Sequence, residues 1–195
     1  MKTIEVKNCV EQQLRRLCSL PDPKQRAELA QLRQGVGGCP GDMPALWGNI
    51  LGCMDESLWG TDGPSEAEWA VYLSLTLYAL HQQGKQEVSM NRQGCTLGKA
   101  VRQLAERTAA AGHDWTESSV LRRFNALATA SSMPEMSHHL RGVIQLLRRE
   151  DLPLDYPQLA AELYQFQFVD GAAHVRLQWG RDLYRMTDET KEKEN

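Results

Sequence analysis

Apolar residues recur at helical spacing in nearly every periodic stretch of this chain, and no stretch sustains the strict alternation over about four to eight residues that a half-buried strand needs. The chain therefore has to bury helices against helices, which predicts an all-α fold. The segment Ser65 to Gln83 constrains the arrangement most, because it is apolar nearly all round. A helix without a polar face belongs at the centre of a bundle. It follows the turn Thr61-Asp62-Gly63-Pro64 and ends at Gly84, a residue suited to a helix stop. Its longest uncharged run, Trp69 to Leu80, has 12 residues. A membrane span needs roughly 17 or more.

The remaining elements are read from their boundaries. Ile4 to Leu17 makes a first helix, and Asp22 as N-cap with Pro23 at the first helical position opens a second that runs to Gln34. Glycines 35, 37, 38 and 41 make a loop, followed by a short helix over Pro44 to Met54. Lys85 to Gly94 is polar and aperiodic, the best linker in the chain. Beyond it, Leu97 to Ala111 is helical and stopped by Gly112, and Thr116 to Ala130 follows with Val120, Phe124 and Leu127 inward. Ser132 and Glu135 have the spacing of a capping box. Pro153 ends the helix they open, Asp155 caps the next, and Asp170 begins the last, to Tyr184. The expectation is a bundle of about eight or nine helices in two lobes. Its parts are an N-terminal helical lobe 1–93, a C-terminal helical lobe 94–187 and a disordered acidic tail 188–195.

With 195 residues, 42% hydrophobic and 24% charged, the chain is long enough to bury a sizeable core and falls outside the disordered class. Lys2, Glu5 and Lys7 interrupt the apolar residues at the N-terminus, so it lacks the core of a signal peptide; a cytoplasmic protein with no membrane partner is expected. Five scattered cysteines without a CxxC pair argue against a disulfide framework or a zinc site and read as reduced core thiols.

The net charge of −3 hides a polarity. Between Arg33 and Lys85 there is no Lys or Arg, while Asp42, Asp55, Glu56, Asp62, Glu66 and Glu68 supply six acids. From Leu97 to Arg149, eight Lys and Arg residues face four acids. Such asymmetry fits one face for a polyanion and another for protein neighbours, and it fits ordinary solvated surface as well.

No constellation for catalysis is recognisable. Gly94-Cys95-Thr96-Leu97-Gly98-Lys99-Ala100 imitates a phosphate loop. It is one residue short, lacks the magnesium-binding hydroxyl after Lys99 and follows no strand. His138 and His139 are adjacent, about 100° apart on a helix, and cannot share a metal from one face. Neither a metal nor a nucleotide cofactor is expected. The arginines remain. His138, Arg141, Gln145 and Arg148 share one stripe of a helix whose opposite stripe is Met136, Leu140, Val143, Ile144 and Leu147. Arginine's planar fork matches phosphate oxygens, and Arg102, Arg122, Arg141 and Arg148 could form a row of backbone contacts. Equally, they could solvate helix faces and pair locally, as Arg102 with Glu106.

Several runs together resemble the CasB family, the small subunit of the type I-E CRISPR surveillance complex, Cascade. They are Arg122-Arg123-Phe124-Asn125-Ala126-Leu127, His139 to Arg148, Leu154-Asp155-Tyr156 and Trp179-Gly180-Arg181-Asp182-Leu183-Tyr184. Arg26 to Gly35 and Leu97-Gly98-Lys99-Ala100-Val101 are similar to that family too, so the likeness spans about residues 26 to 185. The resemblance implies a non-catalytic all-α protein present in two copies. Its implied partners are the Cascade backbone and large subunits, guide RNA, and target and displaced DNA. It implies nucleic-acid contacts at Arg26, Arg33, Lys99, Arg102, Arg122, Arg123, Arg141 and Arg148, and structural roles for Asp155, as a cap, and for Trp179-Gly180, as a close helix crossing. The alternative is a helix-turn-helix DNA-binding regulator, with Leu97 to Ala111 first and Thr116 to Ala130 as recognition helix.

Overall fold

The computed structural model describes residues 1–85, 87–109 and 114–185. Their architecture is all-α, with nine α-helices among the described residues. These are α1 (Lys2–Ser19), α2 (Asp22–Gln34), the one-turn α3 (Trp47–Ile50), α4 (Glu66–His81), α5 (Leu97–Thr108), α6 (Ser119–Ala128), α7 (Met133–Arg149), α8 (Tyr156–Phe166) and α9 (Val169–Tyr184). The expected tail 188–195, and the expected stop of α5 at Gly112, lie outside the described residues. No described helix is long and apolar enough to cross a membrane.

Helix α4 is the axis. Every residue from Ala70 to Ala79 is buried, and α1, α2, α7 and α8 all pack on it. Its start is fixed by a reciprocal capping box: Ser65 Oγ accepts from the Glu68 N–H, and the Glu68 carboxylate accepts from the Ser65 N–H. The box read at Ser132 is only half formed. Ser132 Oγ accepts from the Glu135 N–H at 3.3 Å, but the Glu135 carboxylate turns to the N–H and hydroxyl of Ser131. At α2 the helix begins one residue early, with Pro21 as N-cap and Asp22 already helical.

Helices from both halves of the chain share one hydrophobic core, in which Val10 and Leu14 of α1 sit with Leu159 and Leu163 of α8. The polar stretch between α4 and α5 is fastened to the entry of α8. Leu154 N–H donates to Met90 O at 3.0 Å, Arg92 N–H to Leu154 O at 3.1 Å, and Tyr156 N–H to Asn91 Oδ1 at 3.0 Å. Asp155 caps α8 by accepting from the Gln158 N–H, and its second carboxylate oxygen accepts from the Gly94 N–H at 2.8 Å. The proposed 93/94 boundary thus runs through a segment held to α8 by hydrogen bonds.

Two further readings are corrected. The cysteines are not all reduced core thiols: Cys9 and Cys53 form a disulfide between α1 and the turn after α3, Cys18 is exposed, and Cys39 and Cys95 are half-buried. The close helix crossing exists, but its glycine is Gly98 rather than Gly180. A Cβ on Gly98 would lie 2.4 Å from the Trp179 carbonyl oxygen, whereas one on Gly180 would meet nothing within 4 Å. Gly98 lets α5 and α9 approach, and Trp179 fills the space beside them, stacked on Phe166 with centroids 5.6 Å apart.

Trp179 also donates its indole N–H to Glu162 at 2.7 Å, and Gln158 donates to the same carboxyl group at 3.1 Å. Burial pushes the Glu162 pKa up to about 7, since the low-dielectric core disfavours its charged form. Buried His81, on α4, is pulled down to about 4 for the same reason.

Replacing Gly98 by Ala is expected to cost about 1–3 kcal/mol through overpacking. Gly180→Ala is expected to be neutral or to stabilise by about 0.5–1 kcal/mol, since glycine inside a helix is entropically costly. Urea denaturation of the two variants checks this, and equal effects would refute it. A second expectation concerns pH. Between the ordinary carboxyl value of 4.5 and about 7 the native state holds a proton at Glu162 that the unfolded chain has lost. This contribution is complete below that window and is lost as pH rises through about 7. His81 acts oppositely, its contribution growing as pH rises from about 4 to 6.5. Wild type minus Glu162→Gln, measured by denaturant melts from pH 4 to 8, should therefore fall with rising pH. A flat difference would show that Glu162 titrates in the native state as it does in the unfolded chain.

Candidate nucleic-acid interface

Packing of α2 and α7 on α4 brings together three arginines that are far apart in sequence. Arg33, in the last turn of α2, is half-buried, and its pKa is lowered first by burial and then by the charge of Arg148 on α7. Arg148 donates to Gln83 Oε1 at 3.1 Å, just past the end of α4. Arg141, two turns earlier on α7, places a guanidinium nitrogen 3.7 Å from where a Cβ on Gly37 would stand. The turn after α2 thus lies beneath Arg141. Gly37 has φ +91°, a left-handed conformation that a side chain would strain. Tyr72 of α4 anchors this turn by donating its hydroxyl to Gly35 O at 2.7 Å.

Among the described residues, Arg33, Arg141 and Arg148 form no ion pair with a carboxylate. Arg33 also lines a groove of about 400 Å³, with Arg26, Gln83 and Lys85 together with Asp22 and Glu87. Arg26 stands 4.0 Å from Asp22, both well exposed, which leaves that pair weak. Lys85 is paired with Asp151, the residue that turns the chain out of α7 with φ +54°.

The other candidates are placed differently. Arg123 lies over α7, its guanidinium 3.8 Å from a Cβ position on Gly142, and lines a cavity of about 470 Å³ with Arg149, Asp114, Glu117 and Glu150. Arg122 is exposed on α6. Lys99 donates to Gly94 O at 3.1 Å, closing its own loop. Arg102 is held by Glu106, with its guanidinium 3.8 Å above the Trp115 ring and its side chain 15% exposed. The structure therefore gathers Arg26, Arg33, Arg141 and Arg148 about one face, extends α7 toward Arg123, and gives Lys99 and Arg102 local partners.

Sequence reasoning missed Lys85, Gln83 and the glycine turn as parts of this face. Gly84 marked a helix end, so a cation one residue later could have been placed at the mouth of a groove. Nothing in the sequence tied the turn to Arg141. Among the described residues no group of three or more His, Cys, Asp or Glu side chains could hold a metal ion.

Residues 28–184 match the family described as CRISPR-associated protein Cse2. The crystal structure of CasB from Thermobifida fusca is similar over 93% of this chain and 98% of that one, with 33% identity and a TM-score of 0.75. CasB from Thermus thermophilus is similar over 92% and 97% of the two chains, with 25% identity and a TM-score of 0.66. M. ruber CasB, at 23% identity over 95% of each chain and a TM-score of 0.67, shares the fold. No curated protein matches the chain. The family match takes in Arg33, the glycine turn, all of α7 and the Gly98–Trp179 crossing, and with the likeness to the Thermobifida protein over nearly its full length it places this chain in the Cse2, or CasB, family of CRISPR-associated proteins.

Proposed function

We propose that the chain is the non-catalytic small subunit of a type I-E CRISPR Cascade complex. On this reading it holds the backbones of guide RNA, target strand and displaced DNA strand, and so stabilises the R-loop in antiviral defence. The observation that carries the reading is the convergence of Arg33, Arg141 and Arg148, none of which forms an ion pair among the described residues. Gathering like charges from two helices costs free energy, and phosphates with their released counterions offset that cost. Arg141 and Arg148 are separated by two helical turns, about 10.5 Å, on the scale of one or two phosphate spacings along an extended strand. Such a row follows a backbone and leaves sequence to base pairing. Its partners are the Cascade backbone and large subunits and a second copy of itself in the cytoplasm, with no metal or nucleotide required.

Arg141→Ala with Arg148→Ala is expected to leave stability within about 0.5 kcal/mol, because Arg141 is exposed and half-buried Arg148 has no ion pair among the described residues. Binding to random single strands should weaken regardless of sequence, and the slope of log affinity against log salt should fall by about 0.7 per lost contact, or about 0.9 on duplex. Adding Arg33→Ala should lower it again. A folded, normally assembled triple variant with an unchanged slope removes the face from the site, and failure to join partner subunits would make it a protein interface. Strong preference for one duplex sequence would favour the helix-turn-helix regulator. Arg102→Ala is the contrasting case. It should leave the salt slope unaltered and lower stability by about 0.5–1 kcal/mol through the lost Trp115 stack, read by thermal denaturation.

A further inference from the structure

We propose that the groove between the loop at Pro40-Gly41, α3 and the turn into α4 is a docking site for a basic segment of another protein subunit, anchored on Trp47. The groove has a volume of about 300 Å³, and Pro40, Trp47, Leu51, Pro64 and Glu68 are among the residues lining it. Trp47 is 50% exposed and Trp59, on the strip leading into the same turn, is 42% exposed. Two half-exposed indoles beside a proline-walled groove leave unburied the side chains that most often anchor protein interfaces.

Charge selects the occupant. Asp42, Asp55, Glu56, Asp62, Glu66 and Glu68 are the only charged residues between Arg33 and Lys85. Among the described residues none of the six forms an ion pair. Three of them are fixed in place by backbone donors: Asp42 accepts from the Cys39 N–H, Asp55 from the Ser57 N–H, and Glu68 from the N–H groups of Ser65 and Gly60. The cations packed nearby leave this field standing. Lys2 of α1 reaches Ser57 O at 3.4 Å beside Asp62 and Glu66, one charge against several, and Arg16 lies behind α3, paired with Glu28 and donating to Asn49.

Glu68 in the groove, with Asp62 and Glu66 lining the cavity on the other side of Gly60, makes a negative field that repels a phosphate backbone. It favours a lysine or arginine, which can stack on the Trp47 ring while pairing with a carboxylate. The occupant is thus a positively charged stretch of polypeptide, in a groove that none of the candidate nucleic-acid contacts lines. The inference stands or falls separately from the nucleic-acid reading.

The test uses the tagged chain in its native host, with the photo-crosslinking residue p-benzoylphenylalanine in place of exposed Thr61, the neighbour of Gly60 in the groove wall. After irradiation, sequencing of the crosslinked peptide should identify a different protein chain, joined within a segment rich in Lys or Arg. An adduct to nucleic acid, to a second copy of this chain, or to a neutral or acidic segment overturns the proposal, as does the absence of any adduct. Added to the crosslinking chain, Trp47→Ala or Glu56→Lys with Asp62→Lys should reduce the adduct about ten-fold or more, the scale of a lost interface anchor. Trp47→Phe should retain most of it, and each variant should keep the salt slope of nucleic-acid binding. Full crosslinking by a folded charge-reversed variant would show that charge does not select the partner.

Discussion

A helix with no polar face must be surrounded, and α4 sets that requirement for the whole molecule. From Ala70 to Ala79 it has no surface to offer water, so α1, α2, α7 and α8 are needed to close around it. The hydrophobic gain is diffuse and indifferent to direction. Direction comes from polar devices at the edges: the Ser65–Glu68 box that starts α4, the Asp155 carboxylate that caps α8 and grips Gly94, and the Tyr72 hydroxyl that fixes Gly35. The arginine face follows from the same requirement. Covering one axis with α2 and α7 sets Arg33 next to Arg148.

What was legible in the residues was local. Helical periodicity, the central place of Ser65 to Gln83 and the Asp155 cap all depend on neighbours a turn or two away, and all are found in the structure. The misreadings arose where two local solutions compete or where partners are remote. Glu135 had Ser131 and Ser132 within reach, and took Ser131 with both its N–H and its hydroxyl. Gly98 and Gly180 both sit on helices that cross, and only the crossing point, which no spacing reveals, decides which of them is indispensable. Cys9 and Cys53 are separated by 44 residues, and their Cα atoms come within 5.1 Å only because α1 packs against the turn after α3. For the site, the stripe of α7 could be read, but its junction with Arg33 and the glycine turn is a tertiary fact.

The two ends of the charge distribution are handled by different means. Acidic residues near α3 are held by backbone N–H groups, so their charges stay unneutralised and their positions fixed. On the opposite sign, Arg16, Arg102 and Arg176 are absorbed into packing: Arg16 joins α1 to α2 and α3, Arg102 covers Trp115, and Arg176 donates to the Ala128 carbonyl at the end of α6 while lying over Phe166. An arginine count therefore overstates the charge available to a polyanion. What matters is which guanidinium groups the packing leaves without employment.

The pairing of α1 with α8 has a consequence for how the chain is made. Val10 and Leu14 leave the ribosome well before Leu159 and Leu163, with which they share the core. At about 5–20 residues per second, the interval between completing α1 and completing α8 is roughly 7–30 s. Through that time the apolar faces of α1 and α4 lack the helix that covers both of them. The nascent chain is bound to carry these apolar faces uncovered until α8 has been made, and its yield in a cell is set by what shields them as much as by the stability of the finished fold.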